Sequence, residues 1–268
     1  MFLLLFFCAL AVLVWRYRLI LTEVLQGMSN CKWEGEEGAD GQVIIVTGSN
    51  SGIGKAFTGE LLKRRVRKVI MACRNLRRAE EARKELIKET GVDPQSIEVE
   101  IVDLLNAESI IDFVDRITVK YAHIDVLVNN AGALNSEGNS NGIDPILMHY
   151  LASTTLGRIV MVASLAQGCA TTLDLRSPII RGRYSRAKLA QVIYGQYLAD
   201  QGVNAFSCCP GVVDTNILGS TWFSFLGMIT LVRMIMEQIQ RTPLQGAQTQ
   251  LMLTLSPLHK LIPGAFYT

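Results

Sequence analysis

The chain has 268 residues, enough for one large domain rather than two, and its formal charge of +2 excludes nucleic-acid binding by bulk basicity. With 49% hydrophobic and 19% charged residues it has the means to bury a sizeable core. Cys8, Cys31, Cys73, Cys169, Cys208 and Cys209 follow neither metal-site nor secreted-framework spacing, so they read as reduced thiols of a cytosol-facing domain.

Met1 to Trp15 is uncharged and almost wholly apolar, and Arg16-Tyr17-Arg18 follows it. Fifteen helical residues reach roughly 22 Å, so spanning a core of ~30 Å needs Leu19, Ile20 and Leu21 with the arginines snorkelling. A cleaved signal peptide would place its charge before the apolar stretch and a small-x-small site after it. The reverse order here predicts an uncleaved anchor over 1–22, with everything downstream on the cytosolic side. A linker over 23–41 follows, its end (Gly35 to Gly41) polar with Glu36, Glu37 and Asp40.

From Gln42 onward strand-like and helix-like stretches alternate, the pattern of βαβ units on a parallel sheet. Val43–Val46 is a continuous apolar run, as a strand buried on both faces requires. The pattern then predicts a helix over 52–65, a strand over 68–73 and an amphipathic helix over 76–90 stopped by Gly91 and Pro94. A strand over 97–102, a helix over 107–121 and a strand over 124–128 follow. Strands over 157–162 and 203–208 flank a long helix over 184–201, and the chain closes on a strand near 264–268. The fold class expected is α/β, a doubly wound Rossmann-type parallel sheet in a single domain over 42–268, behind the anchor.

The first strand runs into Thr47-Gly48-Ser49-Asn50-Ser51-Gly52-Ile53-Gly54 and then a helix. Glycines there let the chain turn tightly and bring backbone N–H groups against a pyrophosphate at a helix N-terminus. The spacing is G-x-x-x-G-x-G, and its place between a buried strand and a helix separates it from an ordinary glycine-rich loop. About 20 residues on, an acid would bind the adenine ribose hydroxyls and favour NAD. This chain has Arg74 instead, whose guanidinium suits a 2′-phosphate and favours NADP(H).

Tyr184 and Lys188 are one helical turn apart and share a face. An ammonium beside a phenol favours the phenolate, so the spacing predicts a Tyr184 pKa below its usual value near 10 and an acid/base role. Ser164 ends the preceding strand, at the edge where open α/β sheets hold ligands, and its hydroxyl can bond a substrate oxygen.

These residues together resemble the short-chain dehydrogenase/reductase family. Gly48, Gly52, Ile53 and Gly54 match its cofactor turn, and Asp103-Leu104 sits where the family contacts adenine. Asn129-Asn130-Ala131-Gly132 matches its strand-four motif, Ser164, Tyr184 and Lys188 its catalytic set, and Pro210-Gly211 with Val213 and Thr215 its nicotinamide-side loop. The anchor, Ala72-Cys73-Arg74 and Gly246-Ala247-Gln248-Thr249 point to the retinol dehydrogenase-like branch. The resemblance implies hydride transfer between NADP(H) and a hydrophobic alcohol or carbonyl, retinoids first, with polyprenols, steroids and fatty aldehydes open. By it, Tyr184 shuttles the proton, Lys188 holds the nicotinamide ribose and Ser164 orients the substrate. It also implies residence in the endoplasmic reticulum membrane.

Two departures from the family bear on activity. Only 24 residues separate Gly132 from Gly157, and none between Asp144 and Ser164 is the asparagine that supports the family's catalytic lysine through water. The helix expected there is roughly 15 to 20 residues short, several turns, which weakens any homodimer built on it. A catalytically impaired nucleotide-binding variant with a regulatory or interaction role is therefore the rival reading. The chain also stops at its last strand, where relatives continue with a further helix.

Asn216 to Val232 carries no charge and gathers Trp222, Phe223, Phe225, Leu226, Met228 and Ile229. In the family this region covers the substrate, so Trp222 and Phe223 are expected to bind it, from a lid that dips into the membrane surface; the plain alternative is a buried helix pair. His123, His149 and His259 are scattered, and no ligand cluster suggests a metal.

Overall fold

Seven parallel strands form one sheet in the order β3-β2-β1-β4-β5-β6-β7. The computed structural model describes residues 32–132, 156–170, 183–213 and 240–268. The strands are β1 (Val43–Thr47), β2 (Lys68–Cys73), β3 (Ile97–Ile101), β4 (Ile124–Asn129), β5 (Leu156–Val162), β6 (Ala205–Cys208) and β7 (Phe266–Tyr267). Between them run α1 (Gly52–Lys63), α2 (Leu76–Thr90), α3 (Ala107–Lys120), α4 (Arg183–Asp200), α5 (Pro243–Gly246) and α6 (Gln248–Leu255).

Strand alternation sorts the core into two layers. Ile44 and Val46 of β1 face Phe57 and Leu61 of α1, Ala79 and Leu86 of α2, and Leu251 of α6. Val43 and Ile45 face the other way, into Ile110, Phe113 and Ile117 of α3 and Leu198 of α4. Helices thus cover both faces, and the sheet is doubly wound as expected. Every residue of β1 is buried, which explains its unbroken apolar run.

Local chemistry sets the helix ends. The Asn75 side chain accepts the Arg78 N–H at the start of α2, and Gly91, at φ 68°, ends it in the left-handed conformation. Asn106 accepts the Glu108 and Ser109 N–H groups at the start of α3. α1 stops at Lys63, two residues short of the expected end, because Arg65 is left-handed at φ 61° and the chain turns there into β2. Arg158 of β5 is buried and donates to the carbonyls of Leu253 and Ser256, satisfying acceptors at the C-terminus of α6.

The end of the predicted linker lies against the domain. The Trp33 N–H donates to the Gln248 side chain at 3.0 Å, and the Arg64 guanidinium sits 4.8 Å from the Trp33 ring centroid. The same guanidinium donates to the carbonyls of Gly35 at 2.8 Å and Glu37 at 3.2 Å. Asp40 then forms an antiparallel bridge with Val66 and an ion pair with Arg65 at 3.0 Å. The anchor predicted over 1–22 lies outside the described residues, among which no helix is long and apolar enough to cross a membrane.

Candidate functional site

In a parallel sheet all the strand C-termini lie on one edge, and strand order reverses between β1 and β4. Along that edge the structure sets Asp103 and Leu104 after β3, Arg74 after β2, the glycine turn after β1 and Asn130-Ala131-Gly132 after β4. Ser164 follows beyond β5, and Pro210-Gly211 beyond β6. Residues far apart in sequence are gathered by topology alone.

The turn between β1 and α1 needs its glycines. Gly48 has φ 64° and Gly52 φ 55°, where a side chain would be strained. A Cβ on Gly48 would lie 2.9 Å from the Ala131 Cα, and one on Gly54 2.4 Å from the Asn130 Nδ2. The close approach is held by hydrogen bonds. Asn130 Nδ2 donates to the Thr47 carbonyl at 3.0 Å, and the Ala131 N–H donates to Thr47 Oγ1 at 3.0 Å. Ser49 is fully buried; its hydroxyl donates to the Val46 carbonyl at 3.1 Å and lies 3.6 Å from Cys73 Sγ. Burial pushes that thiol's pKa up. Ser51 begins α1 without a side-chain cap, so the first-turn N–H groups are left for an anion beside Asn50, Gly52 and Ile53. These features fit a dinucleotide diphosphate.

Arg74 is exposed and makes no hydrogen bond or ion pair among the described residues, so its guanidinium is available to a phosphate. Asp103 and Leu104 are half-buried. One Asp103 carboxylate oxygen accepts the Leu105 N–H at 3.1 Å, which fixes the turn beside the expected adenine end.

The candidate catalytic trio is assembled. Ser164 caps the short 3₁₀ turn Leu165–Cys169, accepting the Ala166 N–H at 3.2 Å, and its hydroxyl lies close enough to Tyr184 to act on the phenol's pKa. Lys188 lies a turn along α4 with its Nζ 5.7 Å from the Tyr184 ring centroid. That ammonium is buried and donates to the Val162 carbonyl at 2.7 Å. A Cβ on Gly132 would stand 3.5 Å from Nζ, so the lysine faces the end of β4.

The electrostatics correct one expectation. Tyr184 was expected to fall below its usual pKa, whereas burial raises it and the Ser164 hydroxyl only partly offsets the rise. Lys188 itself is pushed down to about 8 by burial. Its ammonium is directed at the Val162 carbonyl rather than at the phenol oxygen, which is why it does not dominate the tyrosine.

Beyond β6, Gly211 has φ 78°, and Val213 forms a parallel bridge with Arg241. Thr215, Trp222 and Phe223 lie outside the described residues. Sequence reasoning passed over two neighbours of the site. Cys209 sits close enough to Tyr184 and Lys188 to influence both charges, and its Sγ accepts the Gly211 N–H at 3.4 Å. Arg241 packs beneath Gly211. The Cys209-Pro210-Gly211 sequence was a signal for the first; Arg241, the third charged residue after the uncharged stretch, offered none for the second.

Comparison with known proteins agrees with this architecture. The short chain dehydrogenase family profile matches residues 42–145. Retinol dehydrogenase 14 of Mus musculus is 31% identical, over 85% of this chain and 77% of that protein. Retinol dehydrogenase 11 of Homo sapiens is 30% identical, over 85% and 77%. Among solved structures, L-sorbose reductase of Gluconobacter frateurii, complexed with NADPH and L-sorbose, superposes with a TM-score of 0.64 at 20% identity, covering 87% of this chain and 96% of that one. With the glycine turn, the strand-four motif and the Ser164–Tyr184–Lys188 cluster on one sheet edge, the chain belongs to the short-chain dehydrogenase/reductase family of oxidoreductases.

Proposed function

We propose that the protein is an NADP(H)-dependent oxidoreductase that interconverts a hydrophobic alcohol and its aldehyde or ketone, with a retinol/retinal-like substrate first. The observation that carries the reading is Ser164 beside Tyr184 with Lys188 one turn away, at the sheet edge beside the glycine turn. Exposed Arg74 at the end of β2 supports NADP(H) over NAD. The names of the retinol dehydrogenase relatives support the substrate class.

When bound, NADP(H) supplies or accepts the hydride. In reduction the Tyr184 hydroxyl, neutral at physiological pH because burial raises its pKa, donates its proton to the carbonyl oxygen as charge develops there. Ser164 holds the same oxygen by a second hydrogen bond. Lys188 meets the cofactor ribose in this reading, its ammonium held at the end of β5 by the Val162 carbonyl. A cell keeps this cofactor mostly reduced, so reduction is the favoured direction. In this reading residues 1–22 hold the chain in the endoplasmic reticulum membrane as a single pass, 23–41 join it to the domain over 42–268, and Trp222 and Phe223 cover an apolar substrate. The rival of an impaired variant rests on the short connection after Gly132, whose residues 133–155 lie outside the described ones.

The test is NADPH consumption with all-trans-retinal by the wild-type chain beside Tyr184→Phe, with NADPH binding followed in parallel. Turnover that vanishes in the variant supports the reading. Cofactor binding without turnover across a panel of apolar aldehydes and ketones overturns it in favour of the rival.

A further inference from the structure

Arg241 is among the most buried charged residues described, at 4% exposure, and it belongs to none of the motifs above. Its Nη1 donates to the Pro210 carbonyl at 3.3 Å, and its backbone N–H donates to the Val212 carbonyl at 2.8 Å. Its guanidinium lies directly beneath Gly211, where a Cβ would come within 2.9 to 3.0 Å of Nη1, Cζ and Nε. The positive φ of Gly211 and the flat guanidinium are therefore complementary: each occupies space that a side chain or a bulkier cation would deny the other.

The next residues carry this contact across the site. Thr242 and Gln245 form a reciprocal capping box that fixes the start of α5. At its end a Cβ on Gly246 would stand 2.6 Å from Val213 Cγ2 and 3.5 Å from Ile53 Cγ1. The block 241–246 is thus wedged between the turn after β6 and the glycine turn that opens α1. It sets the spacing between the two halves of the candidate cofactor cradle.

We propose that Arg241 is a positioning residue for the nicotinamide half of the dinucleotide: it holds the Pro210–Val213 turn at a fixed distance from the N-terminus of α1. The assignment rests on the dinucleotide reading of the site above. It touches no reacting atom. Its effect is confined to the half of the ligand that the Pro210–Val213 turn meets, and the Arg74 end is untouched.

The experiment compares the full wild-type chain with Arg241→Met and Arg241→Lys, measuring affinity for NADPH and for 2′,5′-ADP, a fragment with the adenine end and no nicotinamide. In Arg241→Met the Kd for NADPH is expected to rise about tenfold, while that for 2′,5′-ADP stays unchanged. Arg241→Lys recovers part of the loss, keeping the charge without the planar fork. Equal weakening of both ligands in Arg241→Met would mean general damage and overturns the proposal, as does no change in either. A wild-type chain that binds neither ligand instead removes the dinucleotide reading on which the assignment rests.

Discussion

The Lys188 ammonium stands 2.7 Å from the Val162 carbonyl oxygen, so α4 is tied to the end of β5 by a buried charge that has no carboxylate partner among the described residues. The groups facing it are the Tyr184 ring and the thiols of Cys208 and Cys209. A buried cation met mainly by a carbonyl dipole is held at the expense of its hydration.

That arrangement gives stability a pH dependence. The Lys188 pKa falls from 10.5 in the unfolded chain to about 8 in the fold, so between these values the unfolded state binds more protons. Stability contributed by this site is therefore lowest below pH 8 and rises from about pH 8 to about pH 10.5. Lys188→Met is expected to melt higher than wild type at pH 7, by an amount on the order of 3 kcal/mol at most, and the gap closes by pH 10.5. Thermal denaturation of both chains at the two pH values checks it, and a gap that widens with pH contradicts it. The variant also loses turnover.

Ser164→Ala removes the hydroxyl that partly restrains the rise of the Tyr184 pKa. Turnover should drop by about 10² to 10⁴, as for loss of a positioned catalytic hydroxyl. Reduction needs the protonated phenol, so the alkaline limb of the pH–rate profile moves to higher pH. A profile that falls in amplitude without moving would separate Ser164 from the titration of Tyr184.

Gly48→Ala adds a methyl 2.9 Å from the Ala131 Cα at a left-handed backbone position. Strain of about 1–3 kcal/mol follows, together with loss of NADPH binding as the turn is pushed away from the strand-four motif. Gly91→Ala, with nothing within 4 Å of the added Cβ, has the backbone strain alone and leaves cofactor binding intact. Fluorescence titration with NADPH distinguishes the pair.

The contact of residues 33–40 with the domain predicts that a chain beginning at Gln42 melts below one beginning at Lys32. Trp33→Ala, which removes the ring facing Arg64, should account for about 1 kcal/mol of the difference. Equal melting temperatures for the two truncated chains would show that these contacts contribute nothing.

The bounds of β2 and α2 coincide with those read from sequence, because an apolar run after Lys68 and an Asn75–Gly91 pair of caps are local signals. The helix over 52–65 was extended too far, since nothing in Lys63-Arg64-Arg65 marks which residue turns left-handed. The motif residues were legible as a family resemblance, and sheet topology then places them on one edge. Arg64 against Trp33 and Arg241 beneath Gly211 were not legible. Both join segments distant in sequence, and neither contact leaves a periodic trace. The Tyr184 expectation failed for the same reason: helical spacing shows that two side chains are neighbours, not where the ammonium is aimed.

The bridge between Val213 and Arg241 means that the two ends of the stretch between them meet at a single point. Closing a loop whose ends already touch becomes only slowly harder as residues are added. A change in the length of that stretch therefore costs little in closure entropy. Length is thus a freedom that the bridge leaves to this stretch, while the Ser164–Tyr184–Lys188 cluster is held by separate contacts.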